Sequence, residues 1–123
     1  MKKKFKQIGE VGVDSGQILI CDPCYINSEW TPGKKDEDIF NKKNKGQFSY
    51  SGCCLETCDT EDLGGQLNYK KGHAGAGVAV SSGYGDGCYP VYAIYNSDGR
   101  VSKLIIDFNE NGNSKKIFDS LRK

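Results

Sequence analysis

The residues best suited to chemistry in this sequence are carboxylates and hydroxyls at the expected ends of strands. Asp14, Ser15, Asp22, Tyr25 and Asp86 fall in turns or at strand ends, where a scaffold can hold polar side chains around a pocket. If two of these ends meet, Asp22 and Asp86 form a carboxylate pair that suits acid–base catalysis or a hard cation. The simpler interpretation is turn formation, since aspartate hydrogen-bonds the local backbone and glycine reaches positive φ.

A second candidate is the C-x-x-C pair Cys21 and Cys24, whose spacing suits two thiolates on one metal or a redox couple. The other four cysteines offer further ligands: Cys53, Cys54, Cys58 and Cys88. No second C-x-x-C follows, and Cys21 ends an apolar run. A redox motif would also need a helix start within a βαβ pattern. The pattern therefore favours free core cysteines, with a metal-supported domain as an alternative.

Two weaker patterns favour turns over sites. Asp107, Asn109 and Asn111 resemble the start of a calcium loop, but Phe118 stands where the bidentate glutamate is required. The single histidine, His73, lies in a glycine-containing turn, where a lone histidine usually has no catalytic role. The sequence therefore names no catalytic residue.

Composition narrows the class of protein. The 123 residues suit a single domain (residues 1–123), and 17 basic against 16 acidic side chains give a formal charge of +1. Such a balance gives no footprint for nucleic acid or for an anionic membrane. The basic start lacks the apolar stretch of a signal peptide, so we expect a soluble cytoplasmic protein with reduced cysteines and no cofactor.

The local patterns are those of a β protein. Residues 7–13 and 17–21 predict an N-terminal hairpin whose second strand is covered on both faces, and residues 67–108 predict a meander that forms one sheet. Within that meander, residues 96–99 close a hairpin. Residues 47–50 suggest another strand. Short helices are predicted at residues 36–43 with Asp36 as the cap, within residues 53–62, and at residues 114–121.

These elements predict a mostly-β fold, either an antiparallel β-sandwich or a partly open barrel or meander with one or two short helices. The 16 glycines and 7 tyrosines support that class, because glycine suits tight turns and tyrosine suits half-buried sheet surfaces.

Two segments carry a family resemblance. The first contains Val13-Asp14-Ser15-Gly16 and Asp22-Pro23-Cys24-Tyr25, and the second contains Gly83-Tyr84-Gly85-Asp86-Gly87 with Tyr89-Pro90-Val91-Tyr92. Together they resemble a bacterial family of uncharacterised proteins, domain of unknown function 4241. The resemblance implies a shared fold and brings no activity with it. The middle of the chain, residues 30–62, shows no pattern of that family.

Three functions follow from these features. We expect a binding module that recognises a small ligand or a protein through its strand-end loops, where tyrosines supply amphipathic contacts. The alternatives are a small carboxylate-based hydrolase using Asp22 and Asp86, with or without a metal, and a metal-supported domain built on Cys21 and Cys24. The predicted binding residues are Asp14, Ser15, Asp22, Cys24, Tyr25, Tyr84, Asp86 and Tyr89.

Overall fold

The computed structural model describes residues 4–109. Contacts divide the described residues into two compact units: the first consists of residues 4–14 and 86–109, and the second of residues 15–85. No helix within residues 4–109 is long and apolar enough to cross a membrane. The strands and the α-helix of the described part are β1 Phe5–Val13, β2 Gln17–Cys21, α1 Tyr50–Cys58, β3 Gly64–Asn68, β4 Ala74–Ser81, β5 Gly87–Tyr95 and β6 Val101–Ile106.

The first unit contains an antiparallel three-stranded sheet in the order β1-β5-β6. The predicted hairpin between β5 and β6 is confirmed. Its turn is held by the side chain of Asn96, whose oxygen accepts hydrogen bonds from the backbone N–H groups of Asp98 and Arg100. Gly99 completes the turn at φ +78°, a conformation that glycine adopts without strain.

The second unit contains another antiparallel sheet, in the order β2-β4-β3, with α1 against it. Its core consists of Phe48, Cys53, Leu67, Ala76 and Ala79, all buried. Small residues on β4 leave room for the Phe48 ring, since a Cβ at Gly77 would lie 3.1 Å from it. Burying a side chain of this size contributes roughly 1.5–3 kcal/mol.

The mostly-β, antiparallel prediction is confirmed, and neither sheet closes into a barrel within residues 4–109. Two predicted pairings are wrong. The first is the N-terminal hairpin: β1 pairs with β5 and β2 with β4, so the turn between β1 and β2 joins strands of different sheets. The second is the single-sheet meander, because β3 and β4 belong to one sheet and β5 and β6 to the other. Local turn residues indicate where a strand ends but not which strand becomes its neighbour.

The predicted helix at residues 36–43 is wrong. Asp36 has φ +64°, whereas a helix N-cap normally has an extended backbone. Only a 3₁₀ turn, Lys42–Asn44, forms there, and the side chain of Asn41 caps it. The helix predicted at residues 114–121 lies outside the described residues.

The prediction of a short helix within residues 53–62 is confirmed in part, because α1 begins earlier, at Tyr50. Ser49 caps it, and its hydroxyl accepts the Gly52 N–H at 2.9 Å. A strand at residues 47–50 is therefore wrong, although Gln47 and Ser49 each form an isolated parallel bridge. Coverage of β2 on both faces is only partly present: Leu19 packs against the core, whereas on the opposite face Ile18 is 9% exposed and Ile20 is 46% exposed.

Candidate functional site

Two loops of the second unit leave the β2-β4-β3 sheet at the same end of its strands. Strands β2 and β3 are both antiparallel to β4, and Cys21 and Leu67 both pair with Gly77. The loop after β2 (residues 22–30) and the turn after β3 (residues 69–73) therefore lie at one end of the sheet. We call it the cleft end, after the cleft described below.

The loop after β2 is held by hydrogen bonds between residues that are close in sequence. The Asp22 carboxylate accepts the backbone N–H of Cys24 at 3.0 Å, which lowers the pKa of Asp22 and caps the 3₁₀ turn Pro23–Tyr25. The carbonyl oxygen of Tyr25 then accepts the backbone N–H groups of three residues, Ser28, Glu29 and Trp30. The sequence builds this loop from an Asp-Pro pair, in which proline fixes φ and cannot extend the strand.

Aromatic rings join this loop to the turn after β3. Tyr25 packs edge-to-face on Tyr69 with 5.0 Å between ring centroids, and Tyr69 also packs on His73 at 4.5 Å. A hydrogen bond between the two tyrosine hydroxyls raises the pKa of Tyr25 to about 12. Gly75 makes room for Tyr69, since a Cβ at residue 75 would lie 2.8 Å from its ring.

A hydrogen bond ties the two loops directly: the backbone N–H of Lys70 donates to the Glu29 carboxylate at 2.8 Å. Beside it lies a cleft of about 290 Å³. This is at the lower end of the sizes found for small-molecule sites. The lining residues with side chains that can contact a ligand are Glu29, Thr31, Lys45, Gln47, Asn68, Tyr69 and Lys70.

The floor of the cleft is the segment of residues 46–48, which runs between the two loops. The backbone N–H of Thr31 donates to the carbonyl of Phe48 at 2.9 Å, and the N–H of Asn68 donates to the carbonyl of Gly46 at 2.7 Å. Phe48 is 1% exposed and packs edge-to-face on Trp30. A segment anchored in the core in this way gives the cleft a rigid base.

A larger cleft of about 470 Å³ lies next to the first and shares Thr31 and Gln47 with it. Most of its remaining lining is the exposed, charged stretch at residues 32–43. No residue of the hydrophobic core borders it, whereas Phe48 and Tyr69 border the smaller cleft. The smaller cleft is therefore the better-supported candidate site.

Cys21 and Cys24 also lie at the cleft end, but their surroundings favour the protonated thiols over the thiolates. Burial and the neighbouring Asp22 charge raise the pKa of Cys21. A hydrogen bond to the Asp22 carboxylate raises the pKa of Cys24. Redox exchange needs the thiolate, which these shifts disfavour. Among residues 4–109, no group of three or more potential metal ligands is present.

Two other predicted site residues, Ser15 and Tyr84, lie at the opposite end of the strands of the same sheet. We call residues 15–16 and 82–85 the motif end. Tyr84 is 68% exposed, and the hydroxyl of Ser82 donates to the carbonyl of Gly85 at 2.6 Å. Strand β2, which is roughly 13 Å long at 3.3 Å per residue, lies between this end and the loop that carries Asp22, Cys24 and Tyr25. The structure thus brings those three together and leaves Ser15 and Tyr84 at the other end.

The other three predicted residues belong to the first unit. Val13 pairs with Gly87, so Asp14 and Asp86 lie at the same end of the paired strands β1 and β5. Tyr89 is 3% exposed and packs edge-to-face on Phe108 at 5.2 Å, which makes it a core residue of that unit. Asp22 lies in the second unit and Asp86 in the first, so neither unit by itself contains the Asp22–Asp86 pair. The hydrolase hypothesis remains a prediction.

The start of the calcium-like loop is a backbone turn. Asp107 is buried, and one of its carboxylate oxygens accepts the N–H of Asn109 at 2.8 Å. The other oxygen has no hydrogen-bond partner among the described residues. The rest of that motif, including Asn111, lies outside them.

The residues that line the cleft were not predicted. The alternation of Leu67 and Tyr69 and the following turn do mark this edge of β3, so the turn could have been recognised as a strand-end loop. Gln47 carries no such signal, because its place beside Asn68 depends on a long-range parallel bridge.

Comparison with known families identifies the chain. The model of a family of proteins of unknown function, DUF4241, matches residues 12–106, and the chain belongs to that family. The match confirms the resemblance based on the two terminal segments and extends it through residues 30–62. Neither a search of curated proteins nor a search of solved structures found a match.

Proposed function

We propose that this protein is a binding module that holds a small ligand, free or as part of a protein, in the cleft at the cleft end of the β2-β4-β3 sheet. The observation that carries the proposal is the hydrogen bond from Lys70 N–H to Glu29, which joins two strand-end loops at a cleft that both loops border. Loops fixed in this way bind without a large ordering cost.

The residues of the cleft end divide into two roles. Asp22, Cys24 and Tyr25 set the shape of the first loop, and Tyr25 supports Tyr69 from behind. Contact with the ligand falls to the lining side chains, chiefly Glu29 and Lys70 with the amides Gln47 and Asn68. The other predicted binding residues stay predictions: Asp14, Asp86 and Tyr89 lie in the first unit, and Ser15 and Tyr84 lie at the motif end of the second.

The proposal places the protein in the bacterial cytoplasm as a single domain with reduced cysteines, and it requires no cofactor. The formal charge of +1 supports a small molecule or a protein as partner over nucleic acid or an anionic membrane. No observation on the described residues favours the hydrolase or the cysteine-based metal domain over this reading.

Amide chemical-shift mapping tests the proposal. A panel of amino acids, dipeptides, sugars, nucleosides and small carboxylic acids is titrated into ¹⁵N-labelled protein at millimolar concentration. We expect at least one compound to shift the amides of residues 29–31, 45–48 and 68–72. Asn68→Ala should weaken that compound's binding, whereas Asn27→Ala, in an exposed turn outside the cleft, should not. Shifts confined to residues 15–16 and 82–85 would instead favour a site at the motif end.

A further inference from the structure

The charges around the cleft differ in how far they are already compensated. The ammonium of Lys45 lies 3.2 Å from a carboxylate oxygen of Glu56, whose side chain is only 9% exposed. Lys45 is therefore committed to neutralising a buried charge, because such a carboxylate is costly without a partner. It contributes little net charge to the cleft.

Glu29 and Lys70 are not compensated in that way. Neither forms an ion pair within residues 4–109. Glu29 is half-buried, and the hydrogen bond that it accepts comes from the neutral backbone N–H of Lys70, not from the ammonium group. The cleft thus carries one negative and one positive side chain that do not neutralise each other.

Resting on the proposed function, we propose that the ligand is a small zwitterion with a free ammonium and a free carboxylate, of the size of an amino acid or a dipeptide. Its ammonium meets Glu29 and its carboxylate meets Lys70. Both contacts are charge-assisted hydrogen bonds, which are about twice as strong as neutral ones.

The rest of the lining suits the same ligand. Asn68 supplies an amide donor and acceptor, Gln47 supplies an amide donor while its oxygen accepts the Ser49 hydroxyl at 2.8 Å, and Thr31 supplies a hydroxyl. These groups match the peptide bond or the polar side chain of such a ligand. Gly46 and Gly72 border the cleft without side chains, so the backbone is accessible at both positions. The volume of about 290 Å³ limits the ligand to a small molecule.

The test uses alanyl-alanine and two capped forms of it. N-acetyl-alanyl-alanine lacks the ammonium, and alanyl-alanine amide lacks the carboxylate. Chemical-shift titration of the full chain should give the tightest binding for the uncapped dipeptide. Each cap should weaken binding roughly tenfold, as expected when a hydrogen bond to a charged group is lost.

Paired variants assign each pole. Glu29→Gln keeps an oxygen that accepts the Lys70 N–H, so the loop should keep its shape. It should weaken the uncapped dipeptide but leave the N-acetyl form unchanged, since that form has no ammonium to lose. Lys70→Gln should weaken the uncapped dipeptide but leave the amide form unchanged. Glu61→Gln and Lys71→Gln are controls outside the cleft and should change nothing.

The outcomes separate the two proposals. Equal affinity for capped and uncapped dipeptides, or a Glu29→Gln effect that is the same for all three, overturns the zwitterion assignment. If neither a dipeptide nor an amino acid binds but another compound of the panel shifts the cleft amides, the ligand class is wrong and the binding module stands. If no compound shifts those amides, both proposals fail.

Discussion

The two ends of the β2-β4-β3 sheet differ in how their loops are fixed. At the cleft end, Glu29 and Lys70 are joined across 41 positions of sequence, and Tyr25 packs on Tyr69. At the motif end, the backbone N–H of Ser82 donates to the carbonyl of Gly16 at 2.9 Å, while the side-chain hydrogen bonds of Ser81 and Ser82 reach only two or three residues along the chain. Neither of the two clefts is lined by the motif end.

If the cleft is the binding site, as we propose, then a recognisable motif of the chain does not mark that site. The most distinctive motif of the chain is Gly83-Tyr84-Gly85-Asp86-Gly87. All three of its glycines, at positions 83, 85 and 87, have positive φ. Such a backbone needs glycine for local geometry alone. The cleft end is built from residues that have no motif in common.

The largest effect that we expect comes from the support of the cleft floor. A Cβ at residue 52 would overlap the carbonyl oxygen of Gln47, a residue of the cleft. Gly52→Ala should therefore lower the free energy of unfolding by about 3 kcal/mol, measured by urea denaturation. Gly12→Ala, where nothing lies within 4 Å of the new Cβ, should stay within about 0.5 kcal/mol of the parent protein. Equal losses in the two variants would contradict the close contact.

Alkaline pH should weaken the core behind the cleft. Burial raises the pKa of Cys53 from 9.0 to about 12. Between these values the unfolded chain has released the thiol proton and the folded chain keeps it. The free energy of unfolding should then fall as pH rises, by at most about 1.4 kcal/mol per pH unit for one proton. Below pH 9 this contribution is fully present.

Cys53→Ala checks that assignment. The variant should be less stable at neutral pH because it leaves a cavity. Its stability should nevertheless fall less steeply between pH 9 and 12 than that of the parent protein. The remaining slope should include Tyr25, whose pKa is also raised to about 12. An unchanged slope would show that Cys53 does not keep its proton in the fold.

A smaller effect should separate Gly72, in the turn after β3, from Gly75, near the start of β4. Gly75 and Gly72 both have positive φ, so alanine is strained at either position. Only at residue 75 does the new Cβ also meet Tyr69. Gly75→Ala should cost about 1 kcal/mol more than Gly72→Ala, measured by thermal unfolding. It should also shift the amides of residues 68–70, and equal costs would argue against the packing of Tyr69 beside Gly75.

The smallest effect concerns the thiol of Cys24. The Asp22 carboxylate raises its pKa, so replacing the charge should raise the thiolate fraction. Asp22→Asn should speed alkylation of Cys24 by iodoacetamide at pH 8, followed by mass spectrometry of the labelled peptide. Cys58, also exposed, is the internal reference and should react at an unchanged rate. Slower or equal labelling of Cys24 would contradict the contact with Asp22.

The sequence predicts strands well and their pairing poorly. The bounds of β2 and the turn of the β5–β6 hairpin follow from apolar runs and turn residues. The assignment of β1 and β2 to different sheets does not, because pairing depends on contacts distant in sequence. The site follows the same rule. Asp22 and Tyr25 lie at the cleft end as strand-end residues, whereas Gln47 reaches it only through a long-range bridge.

The most direct test of the account is amide chemical-shift mapping with alanyl-alanine on the full chain. We predict shifts at residues 29–31, 45–48 and 68–72, with binding weakened roughly tenfold in Glu29→Gln and unchanged in Glu61→Gln. Shifts that cluster at the motif end, residues 15–16 and 82–85, would contradict it.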